Sequence, residues 1–523
     1  MIIHTDSLPD GSIIDSDVCI VGAGPVGLQI GRFLTRSGVK VVIAESGEEK
    51  PSLRAQDLNI GSQTGRNAGN LRDIRIRQFG GTMHVWGGNC RPLDPIDFQV
   101  RDWVPNSGWP ISFSDLQPYF KEAHSLLNLD KYSYTPNESH LISSPRDADA
   151  PFEETLFRLS RFVQGSGSQY LGDYGAFFYN ELNERGNLKI LLGCNVSQIF
   201  LSHDKKSVEE LYAMSFQGRE LHLRAKAYIF CCGGIENARL LLSSQEDMPT
   251  GVGNEGDSVG RYFMEHPHGL AALIVSGRDD QYQKLRFCSP GFQQGDATVQ
   301  HRLRLTDKTQ RDKGLLNLVF QIIHTSMKPH VLDHYKERFS RLQQALPIKE
   351  NLNGYYVVFL AEQFPSRESR VTLGQERDFF GMPQSNLHWE VGELDFKTVS
   401  DGLALLTKEV FPRPDYNSVS CIAKSLADWR VGHGAHHMGT TRMSSSATDG
   451  VVDRNCRIHG LSNGFCAGSS VFPTSGMSNP TLTAMAIGLR LGQHLLANLP
   501  YMSSVNLTVP PRRPKHLEVL LES

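Results

Sequence analysis

The alternation of apolar and polar positions near the N-terminus predicts a strand, a tight turn, a helix and a second strand. Residues 18–21 form a continuous apolar run, as expected of a buried parallel strand. Residues 28–34 place apolar side chains at approximately helical spacing, and Gly38 ends this predicted helix. A second apolar run over 39–44 then ends at Glu45. Together these segments predict one compact strand–turn–helix–strand unit.

Other apolar segments extend this pattern along the chain. Residues 228–232 predict a strand that runs directly into a helix-like segment over 235–242. Residues 464–467 predict a short strand before a Gly-Ser-Ser turn. Residues 188–199 and 220–224 predict further short strands.

The intervening segments have a different character. Residues 297–305, 315–323 and 355–364 are rich in Val, Leu, Tyr and Phe, which predicts strands of a mainly antiparallel sheet. Residues 330–344 are compatible with a helix, and 395–410 predict an amphipathic helix. The fold class that follows is α/β, with a discontinuous Rossmann-like nucleotide-binding domain interleaved with an α+β substrate domain built on the antiparallel sheet.

The domain boundaries follow from this interleaving. A chain of 523 residues is too long for one simple core, so two large domains are expected. The predicted division gives a nucleotide-binding domain of residues 13–110, 187–265 and 433–500, a substrate-binding domain of residues 111–186 and 266–432, and a C-terminal tail of residues 501–523.

Composition and charge narrow the class of protein. Hydrophobic residues make up 39% of the chain and charged residues 21%, as in ordinary globular proteins. The formal net charge is −3 and no basic block appears, so no nucleic-acid partner is expected. No run of about 18 apolar residues is present, so we expect no membrane span. No secretory signal is visible either. Nine cysteines without a C-x-x-C pair suggest reduced thiols in a cytoplasmic protein.

A glycine-rich loop, Gly22-Ala-Gly24-Pro-Val-Gly27, joins the first predicted strand to its helix. The first glycine permits a tight turn, the second lets the backbone approach a pyrophosphate, and the third lets helix and strand pack closely. The helix N-terminus favours the phosphate charge. Glu45 is placed to bond ribose hydroxyls. The loop predicts a dinucleotide but does not distinguish NAD from FAD, because both contain ADP.

The last hundred residues carry the candidate chemistry. Residues 433–443 read HGAHHMGTTRM, and residues 467–483 read AGSSVFPTSGMSNPTLT. Asn is a favoured helix N-cap and Pro fits the first helical position, so Asn479 and Pro480 predict the start of a helix. A histidine cluster close to this helix start suggests an acid/base pair. Taken alone, the sequence also allows Asn479 to be only the cap of a core helix.

Several segments together resemble the glucose–methanol–choline (GMC) oxidoreductases, which are FAD-dependent enzymes that oxidise alcohols and sugars. The matching segments follow the family's order over nearly the whole chain: GAGPVG from Gly22, GGTMHVWGGNCRPLD from Gly80, GGIENARLLL from Gly233, VGRYFMEHP from Val259, SRVTLGQERDFFGMP from Ser369, and the two C-terminal motifs. Within the family the chain is most similar to the pyranose-oxidase-like and glycoside-oxidase-like branch.

The resemblance implies FAD as the cofactor and assigns residues to it. The segment from Gly80 to Gly88 would lie along the isoalloxazine ring, Glu236 would lie near the ADP half, and Ser469 near the ribityl or pyrophosphate part. The complete set of implied cofactor-binding residues is Gly22, Gly24, Pro25, Gly27, Glu45, Gly80, Gly81, Thr82, Trp86, Gly87, Gly88, Asn89, Val196, Gly233, Glu236, Gly468, Ser469, Asn479, Pro480 and Thr481.

The resemblance also places His436 and Asn479 at the family's two active-site positions. Alcohol oxidation removes a hydroxyl proton and a carbon-bound hydride, so a hydride acceptor such as flavin N5 needs a base beside it. A histidine, with an ordinary pKa of about 6.5, suits that role. We expect His436 to be the base and Asn479 to donate a hydrogen bond to the substrate oxygen. The implied substrate is an alcohol, sugar, glycoside or polyol, and O2, a quinone or a redox protein remain open as electron acceptors.

A departure from the family concerns the attachment of the flavin. Some pyranose-oxidase-like members attach it through a histidine directly before the tryptophan, whereas here Val85 precedes Trp86 and His84 is shifted by one position. We therefore predict non-covalent FAD.

The histidine cluster also suggests a metal site, but its sequence does not complete a ligand set. His433, His436 and His437 lack a carboxylate or cysteine within a few residues to complete a ligand set, so no metal is expected. His266 and His268 fall on a family motif and are expected to be structural.

Three other functions stay open from the sequence. A flavin-containing lyase of the same fold would use FAD structurally. An NAD-dependent dehydrogenase is suggested only by the first loop, and the absence of a second such loop weakens it. A non-catalytic flavoprotein subunit would not need both His436 and Asn479.

Overall fold

The computed structural model describes residues 1–129, 132–136, 150–160, 186–276, 292–294, 297–327, 352–411, 416–502 and 510–515. The helices are α1 (Pro25–Arg36), α2 (Leu53–Asp57), α3 (Phe113–Leu126), α4 (Gly233–Ser243), α5 (Asp307–Lys313), α6 (Glu393–Glu409) and α7 (Thr481–Asn498). None of these helices in the described ranges has both the length and the apolar character that crossing a membrane requires.

An eight-stranded sheet carries the glycine-rich turns. Its strands are β1 (Ile2–His4), β2 (Ser12–Val21), β3 (Val41–Glu45), β7 (Leu188–Leu192), β8 (Asn195–Leu201), β9 (Val208–Met214), β10 (Glu220–Phe230) and β19 (Gly464–Cys466). The order is β1-β7-β3-β2-β10-β9-β8, with β19 also paired to β10. The pairs β1–β7, β7–β3, β3–β2, β2–β10 and β10–β19 are parallel. The pairs β10–β9 and β9–β8 are antiparallel.

A second eight-stranded sheet is antiparallel throughout. It contains β5 (Asn89–Cys90), β6 (Phe152–Leu159), β11 (His268–Ser276), β12 (Phe292–Gln294), β13 (Ala297–Leu305), β14 (Leu318–Met327), β15 (Leu352–Ala361) and β18 (Tyr416–Ser420). The helix α6 packs on this sheet, against β11, β14 and β15. A three-stranded sheet is formed by β4 (Gly61–Gly65), β16 (Arg370–Arg377) and β17 (Pro383–Trp389).

The observed elements confirm the predicted fold class. The segment 297–305 is β13 as predicted, and α6 covers the predicted amphipathic helix. One prediction was wrong: residues 220–224 and 228–232 are not separate strands, because β10 runs unbroken over eleven residues. This strand pairs with β9 at its start and with β19 at its end, so both halves have hydrogen-bonding partners. The predicted helix over 330–344 lies outside the described residues.

Helices from the two ends of the chain pack together. The C-terminal helix α7 packs against α1 and α3. A Cβ on Gly488 would lie 2.9 Å from the Val26 side chain, and one on Gly492 would lie 2.9 Å from Phe33. Small residues therefore let α7 approach α1 closely, which brings the C-terminal motifs to the N-terminal glycine loop.

The proposed domain boundaries stay a prediction, but sheet membership bears on them. The strand β1 belongs to the first sheet although it precedes residue 13. The strand β5 belongs to the second sheet although it lies within residues 13–110. The second sheet therefore includes a segment of the predicted nucleotide-binding domain, and Asn89 in that segment also lines the cavity described next.

Candidate active site

A cavity of about 460 Å³ opens at the carboxyl ends of the parallel strands of the first sheet. This is the edge at which open α/β sheets bind their ligands. Its wall includes residues that follow β2, β3, β10 and β19, so four strand ends contribute to it. The N-termini of α1 and α7 also lie on the wall, where their positive ends favour an anionic ligand.

The protein itself gives a steric reason for two glycines of the loop, Gly22 and Gly27. Gly22 has φ +102°, and a Cβ there would lie 2.8 Å from the Cys231 carbonyl oxygen. A Cβ on Gly27 would lie 2.0 Å from the Gly22 carbonyl oxygen, so only glycine lets α1 begin this close to β2. A Cβ on Gly24 would have no described protein atom within 4 Å, because Gly24 faces the cavity.

Most of the predicted cofactor residues line this one cavity. The residues that do so are Gly22, Gly24, Pro25, Glu45, Gly81, Thr82, Trp86, Gly87, Gly88, Asn89, Val196, Gly233, Glu236, Gly468, Ser469, Asn479, Pro480 and Thr481. Gly27 and Gly80 lie behind its wall. The Gly80 N–H donates to the Ala23 carbonyl at 3.0 Å, which ties the segment after Gly80 to the glycine loop.

Glu45 is buried, and its carboxylate orders the loop. Its Oε2 accepts from the Ala23 N–H and its Oε1 from the Gly47 N–H, both at 2.8 Å. Burial raises the pKa of Glu45, while these two backbone bonds act in the opposite direction. A carboxylate has about four acceptor sites; Ala23, Gly47 and the Ser46 side chain use three, so one is left for a ligand hydroxyl.

Glu236 is the centre of an ion cluster that the sequence did not reveal. Arg75 Nη1 lies 2.5 Å from its Oε1, Arg77 also bonds it, and Arg239 Nη1 lies 3.3 Å away. Burial opposes ionisation of Glu236, but the three guanidinium groups hold its pKa well below the ordinary value. All four side chains line the cavity beside the Glu45 end. The R-x-R spacing at 75–77 is the only sequence signal for this cluster.

The histidine within the predicted flavin segment, His84, hydrogen-bonds the protein backbone. His84 Nε2 lies 2.8 Å from the Phe79 carbonyl oxygen, so this nitrogen carries a hydrogen and donates it. Val85 and Trp86 line the cavity, whereas His84 does not.

His436 and Asn479 meet at the wall of the cavity. Asn479 Nδ2 lies 3.0 Å from His436 Nε2, although 43 residues separate them in the chain. The helix α7 begins at Thr481 with Pro480 as its cap residue, and the Pro480 carbonyl accepts the first helical bond from Ala484. The prediction that Asn479 caps this helix was therefore wrong, and its side chain is available to the cavity. Within the described chain, Asn479 Oδ1 is buried without a hydrogen-bond partner.

The hydrogen bonds around His436 determine its tautomer. His266 Nε2 lies 2.9 Å from the Gly476 carbonyl oxygen, so it must donate. Burial lowers the pKa of His266 to about 4, which makes the ring neutral and leaves its Nδ1 as an acceptor. That acceptor lies 2.8 Å from His436 Nδ1, which must then carry the hydrogen. The lone pair of His436 is therefore on Nε2, directed at Asn479.

Glu265 holds the turn that carries His436. Its buried carboxylate accepts from the backbone N–H groups of His266, Gly434 and His436, at 2.7, 3.2 and 2.8 Å. Ala435, between the last two, has φ +56°, a conformation that costs free energy for a residue with a Cβ. Burial raises the pKa of Glu265 to about 7 despite these bonds. The carboxylate thus fixes a strained turn directly beneath the catalytic candidate.

Burial also keeps the other rings of the cluster neutral. Burial lowers the pKa of His437 to about 3, and burial followed by the neighbouring histidines holds that of His436 well below its ordinary value. In the described ranges, no group of three or more His, Cys, Asp or Glu side chains is arranged to hold a metal ion.

His266 is more than the structural residue that its motif predicted, because it contacts the candidate base directly.

The residues present fit FAD. The glycine loop and the N-terminus of α1 suit a pyrophosphate, Glu45 retains an acceptor site for a ribose, and Asn479, whose Oδ1 is unpaired within the described chain, lines the same cavity. An elongated ligand that carries a dinucleotide at one end and a reactive ring at the other would contact both sites.

Comparisons with known proteins agree with the interpretation that this cavity fits FAD. Two family models, both described as GMC oxidoreductase, match residues 170–268 and 365–488, and an FAD binding domain model matches residues 15–62. The chain is 24% identical to a 2-methyl-1,2-propanediol dehydrogenase from Mycolicibacterium austroafricanum, over 92% of this chain and 95% of that protein. It is 22% identical to the large subunit of a fructose dehydrogenase from Gluconobacter japonicus, over 93% and 98%.

A solved structure with a similar fold is that of pyridoxine 4-oxidase from Mesorbium loti. It superposes with a TM-score of 0.57 at 17% identity, over 92% of this chain and 99% of that one.

Proposed function

We propose that this chain, which belongs to the GMC oxidoreductase family of FAD-dependent enzymes, oxidises a primary or secondary alcohol of a sugar, glycoside or polyol with His436 as base. The observation that carries the proposal is the 3.0 Å contact between His436 Nε2 and Asn479 Nδ2 at the wall of the cavity that fits FAD. FAD, when bound, supplies the acceptor for the hydride that leaves the alcohol carbon.

His436 is prepared to take the hydroxyl proton. Its Nδ1–H is held by His266, and its Nε2 lone pair faces the cavity. As the substrate O–H bond breaks, the proton forms a new bond to Nε2 and the ring becomes an imidazolium. A positioned base of this kind typically contributes about 10²–10⁴-fold to the rate.

Asn479 supports the same step from the other side of the substrate oxygen. Its Nδ2–H bonds the His436 lone pair in the ligand-free protein. A substrate hydroxyl placed between the two would donate to Nε2 and accept from Nδ2. As the oxygen gains negative charge, the amide donor strengthens its bond, an effect typically worth about 2.7–4 kcal/mol.

The role of His266 as a positioning residue gives a first prediction. His266→Leu removes the acceptor for the His436 Nδ1–H, so the ring can exchange its tautomer and turn its lone pair away. We expect flavin reduction to slow by at least about tenfold, the cost of one lost buried hydrogen bond. His266→Gln restores an acceptor for Nδ1–H and a donor for the Gly476 carbonyl, so it should recover most of the rate. Anaerobic stopped-flow absorbance measures both variants.

Equal losses in the leucine and glutamine variants would contradict this role. Both proteins must first show the wild-type FAD-to-protein ratio, since a loss of cofactor would slow reduction for another reason.

The attachment of FAD gives a second prediction. His84 is held by the Phe79 carbonyl and Val85 is the residue before Trp86, which favours a non-covalent cofactor. Acid precipitation should therefore leave a colourless pellet and a yellow supernatant. A yellow pellet after denaturation and washing would establish a covalent bond instead.

The proposed activity is tested by mixing the purified holoenzyme anaerobically with a panel of sugars, glycosides and polyols. Bleaching of the flavin band by any of them supports the proposal. Cleavage of a panel compound without bleaching would support a lyase and contradict it. Reoxidation of the bleached enzyme by air or only by a quinone then separates an oxidase from a dehydrogenase.

A further inference from the structure

Arg302 on β13 is a buried guanidinium that has no carboxylate partner among the described residues. Its side chain is 8% exposed, and within the described chain no Asp or Glu oxygen lies within 4 Å. The buried Arg101, Arg224 and Arg239 each form a salt bridge with a buried carboxylate. Burying a cation without an anion costs free energy, so an unpaired one needs an explanation.

The protein contacts of Arg302 are all with neutral groups. One of its terminal nitrogens, Nη2, donates to Gln300 Oε1 at 2.7 Å and to Asn89 Oδ1 at 3.3 Å. The guanidinium carbon lies 4.0 Å from the centre of the Phe157 ring. Its Nε, in the described structure, has no hydrogen-bond partner. The charge is thus oriented by amides and a ring but is not neutralised.

Arg302 lies on the side of the second sheet that faces the candidate active site. Its partner Asn89 lines the cavity that contains His436 and Asn479. The ring that it covers, Phe157, packs against Met477, two residues before Asn479. Arg302 does not itself line the cavity, so an anion beside Asn89 would reach the guanidinium by taking the place of Asn89 Oδ1, which lies 3.3 Å from Nη2.

The titratable groups that shift the pKa of His268 are also cationic or neutral. Burial lowers the pKa of His268, and the positive charges of Arg302 and His433 lower it further. No acidic group contributes to the pKa shift of either His268 or Arg302. The described groups that bond Arg302 or shift the pKa of His268 therefore supply no negative charge. The nearby carboxylates of Asp94 and Glu153 are paired with Arg304.

We propose that Arg302 binds a negatively charged oxygen group, a carboxylate or a phosphate, of the alcohol substrate, so that the enzyme oxidises an acidic sugar or glycoside. This inference rests on the proposed function. A planar guanidinium matches the geometry of a carboxylate or phosphate, and burial strengthens such a bond. The unpaired Nε and the amide-held Nη2 are the donors available to it.

The test compares substrates that differ in one group: a methyl glucoside, the corresponding methyl glucuronide, and the methyl glucoside 6-phosphate. Wild-type holoenzyme should reduce its flavin with a kcat/KM at least about tenfold higher for one acidic compound than for the neutral one. A preference for the glucuronide identifies a carboxylate, and a preference for the 6-phosphate identifies a phosphate.

Arg302→Gln should lower kcat/KM for the preferred acidic compound by about tenfold to a hundredfold, chiefly through KM, and change that of the neutral glucoside by less than about threefold. Arg302→Lys should retain part of the preference. Arg442→Gln is the matched control, because Arg442 is likewise buried over an aromatic ring, that of Tyr262, but neither Tyr262 nor its other partner Asn106 lines the cavity. It should leave the preference unchanged.

A wild-type preference for the neutral glucoside would overturn the inference without any variant, so it stays falsifiable even if Arg302→Gln does not fold. Equal losses for neutral and acidic compounds in Arg302→Gln would also overturn it. If neutral sugars bleach the flavin but acidic ones do not, only this inference fails. If no alcohol in the wider panel bleaches it, the proposed function fails as well.

Discussion

His436→Ala is expected to slow flavin reduction by substrate about 10²–10⁴-fold while the FAD content stays at the wild-type level. The imidazole accepts the hydroxyl proton at Nε2, and no other described group bonds Asn479 Nδ2 at that position. The glycine loop, Glu45 and the Glu236 cluster, which are proposed to hold the cofactor, are unchanged in this variant. Anaerobic stopped-flow absorbance gives the reduction rate, and the spectrum of the denatured protein gives the FAD content.

His433→Ala is the control, because His433 lies in the same cluster and is half-buried but does not bond Asn479. It should retain most of the rate. Normal reduction in His436→Ala would eliminate His436 as the base.

The pH profile of the wild-type enzyme is a further check on the same residue. Burial, and then the neighbouring histidines, hold the pKa of His436 well below its ordinary value. The ring is then neutral, and able to accept a proton, at pH 6.5 and for some distance below. The acid limb of flavin reduction should accordingly fall below pH 6.5. A midpoint at or above 6.5 would show that the base is not buried in this way, unless it reports Glu265, whose pKa burial raises to about 7 and which holds the turn of His436.

The second large effect is expected from Gly27→Ala, which should destabilise the protein and abolish most FAD binding. The added Cβ would lie 2.0 Å from the Gly22 carbonyl oxygen, so the start of α1 must move away from β2. Overpacking of this kind typically costs about 1–3 kcal/mol. The measurements are the thermal unfolding midpoint and the FAD-to-protein ratio after purification.

Gly24→Ala separates the fold from the ligand. Gly24 has φ −76°, which alanine adopts easily, and its Cβ would have no described protein atom within 4 Å. The apoprotein of Gly24→Ala should therefore unfold near the wild-type temperature, whereas its affinity for FAD should fall. Unchanged FAD affinity would mean that no pyrophosphate approaches this backbone, and would contradict the assigned position of the cofactor.

Local patterns in the sequence were sufficient where one segment determines its own structure. The glycine loop, β3 and α6 are set by apolar periodicity and by residues that permit tight turns, and they are found where the pattern predicts them. The strand β10 was predicted as two pieces, because its continuity depends on β9 and β19, which are distant in the chain.

The candidate site likewise combines residues that the sequence identified with contacts that it could not. His436 and Asn479 could be singled out because the family resemblance concerned those positions. The contacts that fix them could not, since Glu265, His266 and the Gly476 carbonyl reach His436 only through the fold. The expected N-cap at Asn479 failed for the opposite reason: a local preference was overridden because Pro480 takes the cap position and Asn479 bonds His436.

The most direct test of the account is a structure of the FAD-loaded protein with an unreactive alcohol analogue in the site. We predict that the alcohol oxygen lies about 3 Å from both His436 Nε2 and Asn479 Nδ2. An alcohol oxygen bonded to neither side chain, or a flavin ring bound elsewhere than beside them, would contradict it.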